Sequence, residues 1–337
     1  MKIRLSRVFI ASVLILGLTA CGSKQKDKTE DAKKSLENIT VLACDETFEN
    51  IIQDEIEVYE FIYPKECILP YYLNETECVD SLLQNKVKTI VIPRKLTDKE
   101  EEYLKSKNQT PRTQQIAVDA IAVIVNKDNP VEILSTAEIG DILTGKITQW
   151  NDIEPSDLGK IEVVFDHSGS STIKYLKEKV AGDKPFGENV YAQGNSPKVL
   201  EAVESHPNAI GIIGVNWLSS TLDGTSVKST EQKAKESAKS DTIELSSTNE
   251  SFISEVKVLK IREADKLEAY KPYQADIFTG DYPFYRPIYM VTTGTGGMPS
   301  HRFFSFVTGT QGQKLILSSG ILPAIMNTKR VELIQPK

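Results

Sequence analysis

Residues 114–126 read "QQIAVDAIAVIVN". The run is long, β-branched and almost continuously apolar, the pattern of a strand covered on both faces rather than one that wets a side. Its length suits a central strand that passes between two lobes. Asp119 is the one charge inside it, placed to tie a hinge or to orient Arg94.

Outward from this strand, strand and helix patterns alternate from Asn38 onward, which indicates α/β architecture. Upstream, "ITVLACD" reads as a strand, followed by "DETF" and a helix with Ile52, Ile56 and Tyr59 on one face. "YLNETECVDSLL" opens a helix with Asn74 and Glu77 in capping-box spacing, "VKTIVIP" is a strand, and "KLTDKEEEYLKSK" is a charged surface helix. Downstream, "LSTAEIGDILTGKITQW" carries a capping box at Ser135 and Glu138, with Leu134 and Ile139 as its staple. Gly145 stands where a left-handed cap is expected. "SPKVLEAVESHPNAIGIIG" is a helix, a turn and a buried strand, and residues 226–251 form a polar surface excursion. "KPYQADIF" reads as a strand, and "HRFFSFVTGTQGQKLILSSGILPA" as two last helices with a glycine break.

Residues 161–176, "IEVVFDHSGSSTIKYL", pass from strand to helix through a loop of hydroxyls. Ile173, Leu176 and Val180 give the helix face. Ser170, Ser171 and Thr172 at its start bring hydroxyls to free backbone N–H groups, so the loop is either an anion site or a serine-rich cap.

The chain begins with "MKIRLSR" and the apolar run "VFIASVLILGL", too short to span a bilayer and of signal-peptide form. It ends in "LTAC", which resembles a bacterial lipobox. Residues 1–20 are therefore expected to be a lipoprotein signal, Cys21 the lipidated N-terminus and residues 21–38 a flexible tether. No later stretch is long enough to cross a membrane, which places the body in the cell envelope, facing the periplasm or the exterior. A net charge of −7 without a basic run beyond the signal and tether argues against nucleic acid. Cys44, Cys67 and Cys78 follow neither a disulfide framework nor a zinc pattern. One bridge, Cys67 to Cys78, is conceivable; buried free thiols are expected.

"IAVDAIAVIVNKDNPVEILSTAEIGDILTGKITQWNDI" resembles the phosphate-binding proteins of ABC transporters, the PstS type. "VVFDHSGSST", "NAIGIIGVNW" and "GQKLILSSGILP" follow in that family's order. The resemblance implies a type II periplasmic binding protein: two α/β lobes joined by two crossover strands, with a ligand cleft between them. Lobe 1 would take residues 39–117 and 272–337, and lobe 2 residues 118–271.

The family's phosphate loop has the form R-x-x-G-S-G-T, and Gly169, Ser170, Ser171 and Thr172 fill its last four places. Asp166 or Phe165 stands where the arginine belongs. The family's contact at the first strand–helix turn is matched by Thr47 and Phe48. Where it places a serine at a glycine-rich helix start, this chain has "LNETE". Where it supplies an aspartate for the phosphate proton, this chain has "VIPRKLT", with Arg94 and no acid. Charge type is thus exchanged between two loops.

Arg94 is either a fork for two oxygens or half of a surface ion pair with a glutamate. Asp166 is a proton acceptor favouring phosphate over sulfate, a cap, or a partner of Arg94. Asp119 would orient Arg94 or tie the hinge, Asn195 in "QGNSP" is placed to face the cleft, and Arg112 is a weaker cationic candidate.

The implied function is capture of inorganic phosphate or a similar oxyanion by a monomer that serves ABC permease subunits, without cofactor or metal. The alternative is a surface or sensory lipoprotein of the same fold with another small-molecule or protein partner. Hydrolysis is disfavoured: His167 and Ser168 are neighbours, not a spaced triad, and G-x-S-x-G is missing. Three scattered histidines, His167, His206 and His301, do not make a metal carrier.

Overall fold

The computed structural model describes residues 38–218, 228–239, 243 and 252–325. The signal stretch, Cys21 and nearly all of the tether lie outside the described residues. Among the described residues no helix is long and apolar enough to cross a membrane, and no cluster of side chains is arranged to hold a metal ion.

The strands are β1 (Ile39–Asp45), β2 (Cys67–Leu73), β3 (Thr89–Ile92), β4 (Arg112–Asn126), β5 (Ile133–Ser135), β6 (Glu162–Phe165), β7 (Val190–Ala192), β8 (Ala209–Gly214), β9 (Val256–Val258), β10 (Lys260–Arg262), β11 (Tyr285–Thr292) and β12 (Leu322–Pro323). Their main path runs β2-β1-β3-β11-β4-β8-β6-β7, with β9 and β12 also on β4, and β5 paired with β10 apart. The outer pairs are parallel: β1 with β2 and β3, β6 with β7 and β8. The inner ones are antiparallel: β11 with β3 and β4, β4 with β8. Two parallel half-sheets therefore meet at β4 and β11.

β4 serves both. Arg112–Ala120 pairs with β11, and Ile121–Val125 pairs with β8. Its first residues alternate in exposure, and from Ala120 onward all are buried. That change follows from the half-sheets: a continuously apolar segment needs cover on both faces. The register with β11 slips at Ile288/Tyr289. There the Ile116 carbonyl accepts from the Gln313 side chain at 3.0 Å and from the Ala324 amide at 3.0 Å. The polar groups left by the irregularity are thus satisfied.

Local expectations hold at several ends. Ser135 and Glu138 form both bonds of the capping box before the helix Thr136–Leu143, and Gly145 has φ +72°. Trp150 is fully buried and donates to the Asn208 carbonyl at 2.8 Å. Cys44, Cys67 and Cys78 are free thiols, Cys44 and Cys78 buried. Burial pushes both buried thiols up, away from reactivity.

Two local readings change. "KPYQADIF" is not a strand: Gln274–Thr279 is a helix ended by Gly280 at φ +78°. The alternation of Tyr273, Ala275 and Ile277 mimicked a strand. Gln274 instead turns inward and donates to the Leu317 and Ile321 carbonyls, at 3.0 and 2.8 Å. The polar excursion also contains a capped helix, Thr230–Ser237.

Candidate functional site

Four segments converge where the half-sheets meet. The first is the turn after β1. Asp45 accepts from the Thr47 amide at 3.0 Å and from its hydroxyl at 2.7 Å, which folds Glu46–Phe48 into a single 3-10 turn. Thr47 and Phe48 are buried at the start of the helix Glu49–Ile62.

The second is the serine loop after β6. One Asp166 oxygen accepts from the His167 amide at 3.0 Å and the other from the Ser170 hydroxyl at 2.7 Å. Ser170 Oγ in turn accepts from the Thr172 amide at 3.1 Å and so caps the helix Ser171–Val180. Burial raises the Asp166 carboxyl, while the bonds from Ser170 and the His167 amide oppose the rise. With both oxygens engaged, Asp166 is the scaffold of the loop.

The third and fourth segments are β4 and β11, which bring Asp119 and Arg286 into register opposite each other. Both are essentially unexposed, at 0 % and 1 %. Nε and Nη2 of Arg286 reach Asp119 Oδ2 at 3.2 and 3.1 Å. Nη1 donates to Ser171 Oγ at 2.8 Å, and Nη2 also faces Thr47 Oγ1 at 3.2 Å and Thr172 Oγ1 at 3.3 Å. The guanidinium lies 4.8 Å from the centre of the Phe48 ring, a cation–π contact. Burial raises the Asp119 carboxyl, and the guanidinium beside it pulls the other way.

Chemically, one buried cation is held by one carboxylate and three hydroxyls. A hydroxyl that accepts from a guanidinium keeps its own proton to give. Thr47 gives its proton to Asp45. Ser171, 3.3 Å from Thr47 Oγ1, can then give its proton to Thr47, and the proton of Thr172 is left to give, at a helix N-terminus that itself favours an anion. Buried acceptors lie close by: Asp45 Oδ2, Asp119 Oδ1 and Asn216 Oδ1 have no hydrogen-bond partner. A side chain at Gly214 would strike Asn216 Oδ1 at 2.4 Å, so only glycine leaves that oxygen its place.

The two sides of the site touch directly. Thr47 Oγ1 and Ser171 Oγ are 3.3 Å apart, His167 pairs with Glu46, and Lys174 Nζ lies 3.7 Å from Glu75. Asn216 and Trp217, after β8, donate to the Thr47 carbonyl at 3.0 and 3.1 Å.

The expected residues thus divide. Thr47, Phe48, Ser171 and Thr172 surround Arg286, with Ser170 and Asp166 one step behind. Arg94 is elsewhere, paired with Glu75 at 2.5 Å and with Glu100 at 2.9 Å. Asn195 caps the helix Ser196–Ser205, accepting from the Lys198 amide at 3.0 Å. Arg112 meets His301 at 2.8 Å on the surface. Asp119 holds Arg286, not Arg94. Arg286 itself was missed, although "YRPIYMVT" carried a signal. An arginine at the inward alternation of Ile288 and Met290 needs a buried partner, and Asp119 offers one.

Comparisons with known proteins agree with this architecture. Residues 25–308 match the PBP superfamily domain. The phosphate-binding protein PstS of Pseudomonas aeruginosa is 22% identical over 302 residues, 85% of this chain and 83% of that protein. PstS 2 of Streptococcus agalactiae is 58% identical over 38 residues, 11% of this chain and 13% of its own. A crystal structure from Clostridium perfringens, described as a candidate phosphate ABC transporter substrate-binding protein with bound phosphate, superposes with a TM-score of 0.65 at 20% identity. It covers 86% of this chain and 100% of its own. An ABC-type phosphate transport receptor of Vibrio cholerae gives 0.59 at 18% identity, covering 85% and 99%. At such identities the likeness concerns the fold: two α/β lobes joined by crossover strands. The chain belongs to the PBP superfamily, with the type II fold of its PstS-type members.

Proposed function

We propose that this protein is the solute-binding component of an ABC importer and captures inorganic phosphate, or a closely similar oxyanion, between its lobes. The observation that carries the reading is Arg286, a buried guanidinium set against the Ser171 and Thr172 hydroxyls at a helix N-terminus. It supplies from β11 the cation that the serine loop lacks. Asp119 Oδ1 and Asp45 Oδ2 are the nearby acceptors for a ligand proton, which would reward hydrogen phosphate over sulfate. Binding would be lobe closure without covalent chemistry, so the chain is read as a transport protein and not an enzyme. Lobe 1 is assigned residues 39–117 and 272–337, lobe 2 residues 118–271. Lipidation at Cys21 and a tether through residue 38 would hold the protein, as a monomer, on a membrane beside its permease.

One observation favours a second reading, a surface or sensory lipoprotein of the same fold. The Ser171 and Thr172 hydroxyls already accept from Arg286, and Asp166 or Phe165 stands where the family's loop arginine belongs. Titration calorimetry of the mature protein with phosphate, sulfate and molybdate decides between them. Heat with phosphate alone supports capture. Silence with all three leaves the second reading.

A further inference from the structure

The described chain between β8 and β9 grips the helix Glu49–Ile62 at two places. Both strands pair with the second part of β4, so this chain springs from the half-sheet of the serine loop. The helix Glu49–Ile62 belongs to the other side and begins at the Thr47–Phe48 turn. At its start, Asn216 Nδ2 donates to Asn50 Oδ1 at 2.6 Å and Asn50 Nδ2 to the Asn216 carbonyl at 2.7 Å. These bonds add to the two that end on the Thr47 carbonyl.

Farther along, the helix Thr230–Ser237 lies across the same helix and across Thr310–Ser318. Ala234 is buried against Val58 and Leu315, with Ile62 and Phe306 beside them. Lys233 Nζ pairs with Asp54 Oδ1 at 2.7 Å. Gln311 Nε2 donates to Ser237 Oγ and Lys314 Nζ to the Ser237 carbonyl, each at 3.1 Å. Val58 stands ten residues beyond Phe48, about 15 Å along the helix axis. The contact is therefore remote from the anion site, and nothing in it would touch a ligand.

The ends of this segment, at Leu218 and Ile253, pack in the core of their own half-sheet, but the helix Thr230–Ser237 adds nothing to that core and buries Ala234 on helices of the other side. What it does is fix the distance between the two. We propose that this segment is a clasp that holds the lobes together before ligand arrives. Closure then costs the ligand less, because the binding-competent arrangement is already populated. The clasp does not depend on which ligand the cleft takes. The affinity readout below does rest on the phosphate reading.

The test is Ala234→Glu in the full chain, which puts a charge into the Val58–Leu315 contact, with the milder pair Lys233→Ala and Gln311→Ala as a second variant. Circular dichroism establishes that each is folded. Small-angle scattering without ligand should then show a larger radius of gyration than the parent. Amide exchange in residues 49–62 should quicken. Inorganic phosphate should bind about 3- to 30-fold more weakly to Ala234→Glu and less affected to the milder pair. An unliganded radius and exchange pattern equal to the parent's in both folded variants overturns the clasp. Should parent and variants alike ignore phosphate, the phosphate reading fails, while scattering and exchange still decide the clasp.

Discussion

Arg286 and Arg94 carry the same guanidinium and meet opposite fates. Arg286 is sealed between β4 and β11 with one carboxylate, three hydroxyls and a phenyl ring. Arg94 follows β3, keeps 34% of its side chain exposed and answers two glutamates, Glu75 and Glu100. The first is a buried cation balanced by a single acid and surrounded by hydroxyls. The second is over-neutralised by its neighbours, and an anion approaching it would meet Glu75 and Glu100 as well. Position in an inward strand register, rather than in a loop, decides which arginine is buried among hydroxyls.

The largest expected effect comes from breaking the buried pair. Arg286→Ala leaves Asp119 a buried, uncompensated charge, which should cost about 3–5 kcal/mol of stability. Phosphate binding should vanish with it. Urea unfolding and calorimetry measure the two. A variant that stays as stable as the parent, or still binds phosphate, would erase the contrast between the arginines.

Thr172→Ala removes one hydroxyl facing Arg286 and should weaken phosphate by roughly 1–3 kcal/mol, about five- to more than a hundredfold in dissociation constant. Unchanged affinity in the folded variant would leave the serine loop a cap alone.

Glu55 sharpens the contrast from the acidic side. Like Asp119 it is fully buried, but neither of its oxygens has a hydrogen-bond partner. Burial pushes its carboxyl well above the usual range, with Asp54 adding to the rise. The folded protein therefore keeps a proton that the unfolded chain gives up. This group's stability is fullest below the ordinary carboxylate range near pH 4 and is lost as pH rises toward the raised value. The slope for one proton is at most about 1.4 kcal/mol per pH unit. Glu55→Gln should flatten it in denaturant titrations between pH 5 and pH 8. An identical slope in parent and variant would show that Glu55 is not buried as a neutral acid.

Arg94→Ala should matter least: about 1 kcal/mol or less of stability, the range of an exposed ion pair, and no measurable change in phosphate affinity. A tenfold loss of affinity would return Arg94 to the cleft.

The sequence foretold the fold wherever periodicity and end signals agreed. The long apolar run became β4, Ser135 and Glu138 became a capping box, and "DHSGSST" became a capped helix start. It misled where a segment was too short for its period to be resolved, as with Gln274–Thr279. The site was half legible. Hydroxyls at helix starts are local features, so Thr47, Ser171 and Thr172 were within reach of a one-dimensional reading. Arg286 lies 167 residues from Asp119, and only strand pairing brings them together. Arg94 looked attractive because the glutamates that occupy it come from two other helical segments, at Glu75 and Glu100.

The position of β11 between β3 and β4 has a consequence for the order in which this chain acquires its structure. β3 and β4 are joined by about twenty residues yet cannot pair, because the place between them belongs to a strand from the last sixth of the polypeptide. β4, β6, β7 and β8 are complete among themselves well before that strand emerges. The half-sheet that begins with β1 must wait, its inner edge open, until residues 285–292 arrive. Such a long-range pairing is slow to form, and a transiently open edge is prone to aggregation. The step that closes the edge also delivers Arg286 to Asp119, so the buried ion pair and the join between the two half-sheets come into being together.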